Sequence, residues 1–170
     1  MNGSNERRHD APEPSQNNPQ QNHAGISPHD SIEKTAQDVL KIAQTILQNR
    51  GKIHPHAMIL DSVNETAYYL ALAVDKVLWA PLILKMLQRI NADRYFLVDE
   101  VWIVSSENWI PTRAVSENPA AVEAIIVVVC DRAQGKVMIT QQFLRDKDEI
   151  KFMEPTTSNT FETRLGPEKW

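Results

Sequence analysis

The chain has 170 residues, with 18 Lys and Arg against 22 Asp and Glu and a net charge of -4. Once its polar ends are set aside, that length accommodates one hydrophobic core but not two. The charge, without a basic block anywhere, argues against a dedicated nucleic-acid surface. The longest nearly uncharged stretch, Val77 to Leu84, falls far short of a membrane span.

Residues 1–29 are dense in Asn, Gln, Pro, Ser and His and nearly free of large apolar side chains. Such a segment buries too little surface to offset its ordering entropy, so a disordered polar tail is expected. It opens Met-Asn-Gly-Ser-Asn-Glu-Arg-Arg, without the apolar stretch of a secretory signal. Asp30 and Glu33 then have the spacing of a capping box. Apolar residues follow at Ile32, Ala36, Val39, Leu40, Ala43, Ile46 and Leu47, one stripe of an amphipathic helix, and Gly51 suits its left-handed end. Ile53–Leu60 and Thr66–Leu72, joined by the polar Asp61–Glu65, read as a hairpin. Pro55 cannot donate to a ladder, so the first strand starts after it or lies at an edge. From Val77 the helical spacing returns at Leu78, Leu82, Met86 and Ile90; Pro81 favours a start near Ala80, and Asn91–Asp93 ends the helix.

The remainder reads as sheet. A strand over residues 94–104 is followed by a loop, Ser105 to Ala121, and by strands over 122–130, 136–144 and 149–153 on short turns. The order predicts an α+β domain over residues 30–154: a mainly antiparallel sheet of about five or six strands, with both helices on one face. Residues 155–170 are expected to form a flexible C-terminal tail. The single cysteine, Cys130, lies among Ile and Val, where a thiol behaves as a small inert hydrophobe, and it suits a reducing, cytoplasmic setting.

Two strands carry acids where aliphatic residues are expected, and these are the catalytic candidates, Glu100 and Glu123. Period-two geometry places Glu100 with Phe96, Val98, Trp102 and Val104, and Glu123 with Ile125, Val127 and Val129. If the strands pair, the two carboxylates come within reach, and one pKa rises, which is how a site obtains an acid and a base. The simpler reading leaves Glu123, one residue inside a strand end, in solvent and pairs Glu100 with Arg94, Arg113 or Arg145. His54 and His56, at a spacing that can chelate metal, have Asp61 and Glu65 nearby but no third histidine or cysteine cluster, so no metal site is expected. Trp102 alternates with core residues and reads as packing. Trp109 and Arg113, in the long loop, are the binding candidates.

Five glycines leave no phosphate-binding loop and no dinucleotide fingerprint, and no cofactor is expected. The balance favours a soluble, non-catalytic binding or accessory domain with a protein partner or a second copy of itself. The alternative is a small hydrolase, with or without a metal, using Glu100 and Glu123 with His54 or His56. Neither nucleic acid nor membrane is an expected partner.

Overall fold

Seven antiparallel strands form one sheet in the computed structural model, which describes residues 26, 27, 29–112, 114–147, 149–163 and 166. In chain order the elements are α1 (Ile32–Arg50), β1 (His56–Asp61), β2 (Thr66–Ala71), α2 (Trp79–Ile90), β3 (Arg94–Ile103), β4 (Val122–Asp131), β5 (Gly135–Asp146), β6 (Glu149–Phe152) and β7 (Thr156–Ser158). The strand order is β2-β1-β3-β4-β5-β6, with β7 also pairing β5. This is the α+β fold expected from the sequence, with one more strand.

Local chemistry explains the element ends. The N-cap of α1 is Ser31, whose hydroxyl accepts from Lys34 N at 3.1 Å. Asp30, expected as the cap, lies one residue too early; its carboxylate accepts instead from Ser27 N and from Lys34 Nζ. Gly51 ends the helix at φ 72° and Asn91 ends α2 at φ 49°, left-handed conformations that Gly and Asn tolerate best. A short 3-10 turn, Lys76–Leu78, leads into α2, and Pro81 sits in its first turn. The turn between β4 and β5 is held by Asp131, whose Oδ1 accepts from Ala133 N and Gln134 N at 2.8 and 2.9 Å.

The helices do not share a face of the sheet; this corrects the sequence expectation. Met58 and Leu60 of β1, Phe96 and Val98 of β3, and Ile125, Val127 and Val129 of β4 pack in one core with α1. Their alternate neighbours, Ala57, Ile59, Tyr95 and Cys130, pack in a second core with Ile83 and Leu87 of α2. Alternation in a strand sends adjacent side chains to opposite sides. A central strand apolar at successive positions therefore needs a cover on each side.

The expected boundaries also shift. Ile26 packs against the α1 core, so the folded body reaches into the stretch assigned to the polar tail. Residues 1–25 and 28 lie outside the described residues. At the other end β7 belongs to the sheet, pairing Thr156–Ser158 with Met138–Thr140, and the Lys136 ammonium lies 5.0 Å from the Phe161 ring centre. That part of the chain is structure rather than flexible tail. Residues 164, 165 and 167–170 lie outside the described residues.

One buried ion pair joins three elements at the β3 start. Arg94 is only 1% exposed. Its Nε donates to Asp131 Oδ2 at 2.8 Å and its Nη1 to Thr35 Oγ1 at 2.9 Å. The adjacent Gln134 Oε1 accepts from Ile32 N at 3.0 Å, so the β4–β5 turn also caps α1. Arg94 Nη2 is buried without a partner, which leaves part of the desolvation cost uncompensated. Breaking such a pair from one side strands a buried charge and costs about 3–5 kcal/mol, whereas removing both charges costs far less. Arg94→Met is expected to lose that much in urea denaturation. Asp131→Asn in the same chain should recover part of the loss, because Asn keeps the turn acceptor and removes the stranded charge.

Candidate functional site

The two strand carboxylates meet, and a cation stands between them. Glu100 faces Ile125 across β3–β4, and Glu123 faces Trp102 on one side and Phe143 on the other. All lie on the α1 side of the sheet. Two residues beyond Phe143, Arg145 reaches across β4. Its Nε donates to both Glu123 oxygens at 3.1 and 3.0 Å, and its Nη2 donates to Glu100 Oε1 at 2.7 Å. Its Nη1 donates to the Gly51 carbonyl at 2.5 Å, while Glu100 Oε2 accepts from Ile53 N at 2.9 Å. The triad thus ties the segment after α1 to three strands. Both acids are engaged by one guanidinium, so they do not form a proton-sharing pair. Of the three arginines the sequence offered, the register selects Arg145. Arg94 is committed to Asp131, and Arg113 lies outside the described residues.

His56 lies on β1 opposite Val98 of β3. His56 Nδ1 donates to the His54 carbonyl oxygen at 2.8 Å, which makes Nε2 the acceptor in the neutral ring. The His56 ring stacks on Tyr69, with centres 5.3 Å apart. Asp61 serves the hairpin turn, accepting from Asn64 Nδ2 at 2.6 Å and from the Val63 and Asn64 backbone N–H groups. Those donors, the Asn64 side chain first, hold its pKa below the ordinary carboxylate value. Among the described residues no three His, Cys, Asp or Glu side chains are grouped to hold a metal ion.

The long loop is ordered around Asn118. Its Nδ2 donates to the Asn108 carbonyl at 2.7 Å and its Oδ1 accepts from Ala120 N at 2.9 Å. Trp109 stands 56% exposed on this loop. Trp102, expected to pack in the core, is 46% exposed, because α1 ends before the sheet does. The sequence periodicity assigned its face correctly but could not tell where the cover stops.

A pocket that the sequence did not reveal lies between α1 and the β2-β1-β3 end of the sheet. It encloses about 130 Å³ and is lined on the helix side by Val39, Ile42, Ala43 and Ile46, with Ile26 beside them. On the sheet side the lining is Met58, Phe96 and Val98, with His56 and Tyr69. The last two are the polar-tipped residues of an otherwise aliphatic and aromatic wall. The cavity arises because α1 lies mainly over β4 and β5. The edge-side residues beneath its outer stripe, Ile42 and Ile46, are left incompletely covered.

On the opposite face lies a buried acid, Asp99. It pairs with Lys76 Nζ at 2.6 Å, and that ammonium also lies 5.1 Å from the Trp79 ring centre. Burial raises the Asp99 pKa above the ordinary carboxylate value despite the Lys76 hydrogen bond. A broad polar hollow of about 460 Å³ lies beside Arg145, bordered by Gln48, Lys147 and Glu149. Its Lys147 and Glu149 oppose each other in sign, and Arg145 is already spent on the triad.

No protein-family model matches this sequence, and no curated protein or solved structure is significantly similar to it.

Glu100 holds both a backbone N–H and the guanidinium, whereas Glu123 holds only the guanidinium. Glu100→Gln is expected to cost about 1–2 kcal/mol in chemical denaturation and Glu123→Gln less. Their effects should be non-additive by at least about 0.5 kcal/mol through the shared Arg145.

Because the folded pKa of Asp99 is raised, the native state holds a proton that the unfolded chain releases, so this group weakens stability as pH rises through the carboxylate range. Asp99→Asn should therefore be more stable than the parent at pH 7. The advantage should vanish in melts taken below the ordinary carboxylate pKa.

Proposed function

We propose that this protein is a non-catalytic binding domain, and that the pocket between α1 and β1–β3 receives a small apolar ligand. The observation that carries the reading is the pocket's size and lining. A space of about 130 Å³ walled by Val, Ile, Met and Phe is of the order of the cavity of about 150 Å³ that accepts benzene in an engineered core. One aromatic ring, or a branched aliphatic group of that bulk, fills it. The imidazole of His56 and the phenol of Tyr69 supply the polar contacts that orient a ligand with one hydroxyl.

The charged residues support binding rather than catalysis. Glu100 and Glu123 are both held by the one guanidinium of Arg145, and His56 lies in the pocket wall with its Nδ1 committed to the His54 carbonyl. A hydrolytic site would need an acid and a base aimed at one vacant point, with their pKa values driven apart. The reading carries with it a cytoplasmic location, which suits a chain with a single, buried cysteine. None of the described helices is long and apolar enough to cross a membrane.

Methyl NMR titration with phenol and with benzene tests the pocket. Shifts confined to the methyl groups of Val39, Ile42, Ile46, Met58 and Val98 are the expected outcome. At ten times the dissociation constant the ligand should add about 1.4 kcal/mol to stability. Ile42→Trp fills the space from the solvent side and should remove both effects, while Glu123→Gln should leave them unchanged. Absence of methyl shifts at millimolar phenol and benzene would overturn the assignment.

A further inference from the structure

The two edges of the sheet are treated very differently. At one, β6 has four residues, two of them the charged Glu149 and Lys151, and β7 takes up a further length of β5. Short strands and charges are the usual guards against edge-to-edge pairing. At the other, β2 runs Thr-Ala-Tyr-Tyr-Leu-Ala for six residues without a charge, a proline or a bulge. Among the described residues no strand pairs its outer side.

The direction of its backbone groups follows from one hydrogen bond. Leu72 N donates to the Pro55 carbonyl at 3.0 Å, which continues the β1–β2 register of His56 with Ala71. Backbone groups alternate along an antiparallel strand, so Leu70, Tyr68 and Thr66 also point theirs at β1. Ala67, Tyr69 and Ala71 therefore point their N–H and C=O groups outward. Their side chains lie on the α1 side of the sheet, where all three are exposed. The Tyr69 ring stands 56% exposed and already stacks on His56.

We propose that β2 pairs with β2 of a second copy of this chain, antiparallel about a two-fold axis normal to the sheet, and joins the two sheets into one. The strand is self-complementary in a single register. With Tyr69 opposite Tyr69 of the second copy, Ala67 faces Ala71 and Tyr68 faces Leu70. All three outward-pointing residues then fall in hydrogen-bonded pairs, giving six backbone hydrogen bonds across the axis. On one face small residues meet small ones around an aromatic pair, and on the other Tyr meets Leu, the kinds of cross-strand pair that stabilise sheets. Shifting the register by two residues brings Ala67 opposite Tyr69 and lowers the number of outward pairs within β2. Glu65, the nearest charge, comes opposite the neutral Ala73, so no like charges oppose one another. The charge-free, self-matching pattern favours a second copy over an unrelated extended peptide, which would be recognised through side-chain pockets along the edge.

The test combines sedimentation of the full chain with residue-resolved hydrogen exchange. Sedimentation equilibrium over 1–300 μM should show a monomer–dimer equilibrium. In the dimer the Ala67, Tyr69 and Ala71 amides should exchange at least tenfold more slowly than in dilute protein, while Tyr68 and Leu70 stay protected in both. Tyr69→Lys places two ammonium groups opposite each other on the axis and should shift the equilibrium at least tenfold towards monomer. Val77→Lys, on the exposed approach to α2, should leave it unchanged. The exchange pattern of the unmodified protein decides the matter even if a variant folds poorly. A monomer throughout the range would overturn the proposal. So would a dimer in which the Ala67, Tyr69 and Ala71 amides remain unprotected, or one that survives Tyr69→Lys undiminished.

Discussion

The two-sided burial of the central strands is the constraint from which the rest of the architecture follows. Successive residues of β1, Ala57 to Leu60, are all buried, and so are Tyr95 and Phe96 of β3 and Val129 and Cys130 of β4. A pleated strand sends such neighbours to opposite faces, so neither face can be left to water. One helix covers each side, and each large aliphatic side chain so buried contributes about 1.5–3 kcal/mol. Two helices cannot cover both faces of seven strands completely. The incomplete margins are where the features of interest lie: the pocket beside α1, the exposed Trp102 and the bare α1-side surface of β2.

Charged groups fix how those covers dock. At one end Arg94, Asp131, Thr35 and Gln134 join the start of α1 to β3 and to the β4–β5 turn. At the other end Arg145, Glu100 and Glu123 hold the segment leaving α1 against three strands. The first is buried, and its stabilising value is small beside its desolvation cost, so its effect is to specify where the helix sits. The second is partly exposed, which reduces its energy further but leaves its geometry intact. Between them they fasten the start of α1 and the segment that leaves it to the sheet. On the other face Lys76 and Asp99 play the same part for the turn that leads into α2.

The candidate site was legible in parts. Period-two placement grouped Glu100 and Glu123 each with apolar residues of its own strand, and the β3–β4 pairing brings both to one face and onto Arg145. The identity of that cation was undecided because it depends on the β4–β5 register, which brings Phe143 opposite Glu123 and Arg145 two residues beyond. His56 could be singled out as an imidazole but not as a pocket wall, because its neighbours there, Val39, Ile42 and Tyr69, come from two other elements. Asp99 is an acid inside an apolar strand, on the face away from Glu100. Its partner Lys76 lies 23 residues earlier, in a turn whose position depends on where α2 docks.

By itself the sequence determined the elements, because their signals are local. Gly51 ends α1, Asp61–Glu65 and Asp131–Gly135 turn the chain, and β-branched runs make the strands; the helix start was read one residue early, at Asp30 instead of Ser31. It also held the evidence of two-sided burial in the unbroken apolar runs of β1 and β4, although both helices were expected on one face. Only the tertiary structure decided which helix takes which face, where each cover stops and which charges meet. It also decided that Thr156–Ser158 joins the sheet and that β2 is left at its edge. The reason is physical: those outcomes depend on the register and packing of segments far apart in the chain, and no local preference encodes a distance between them.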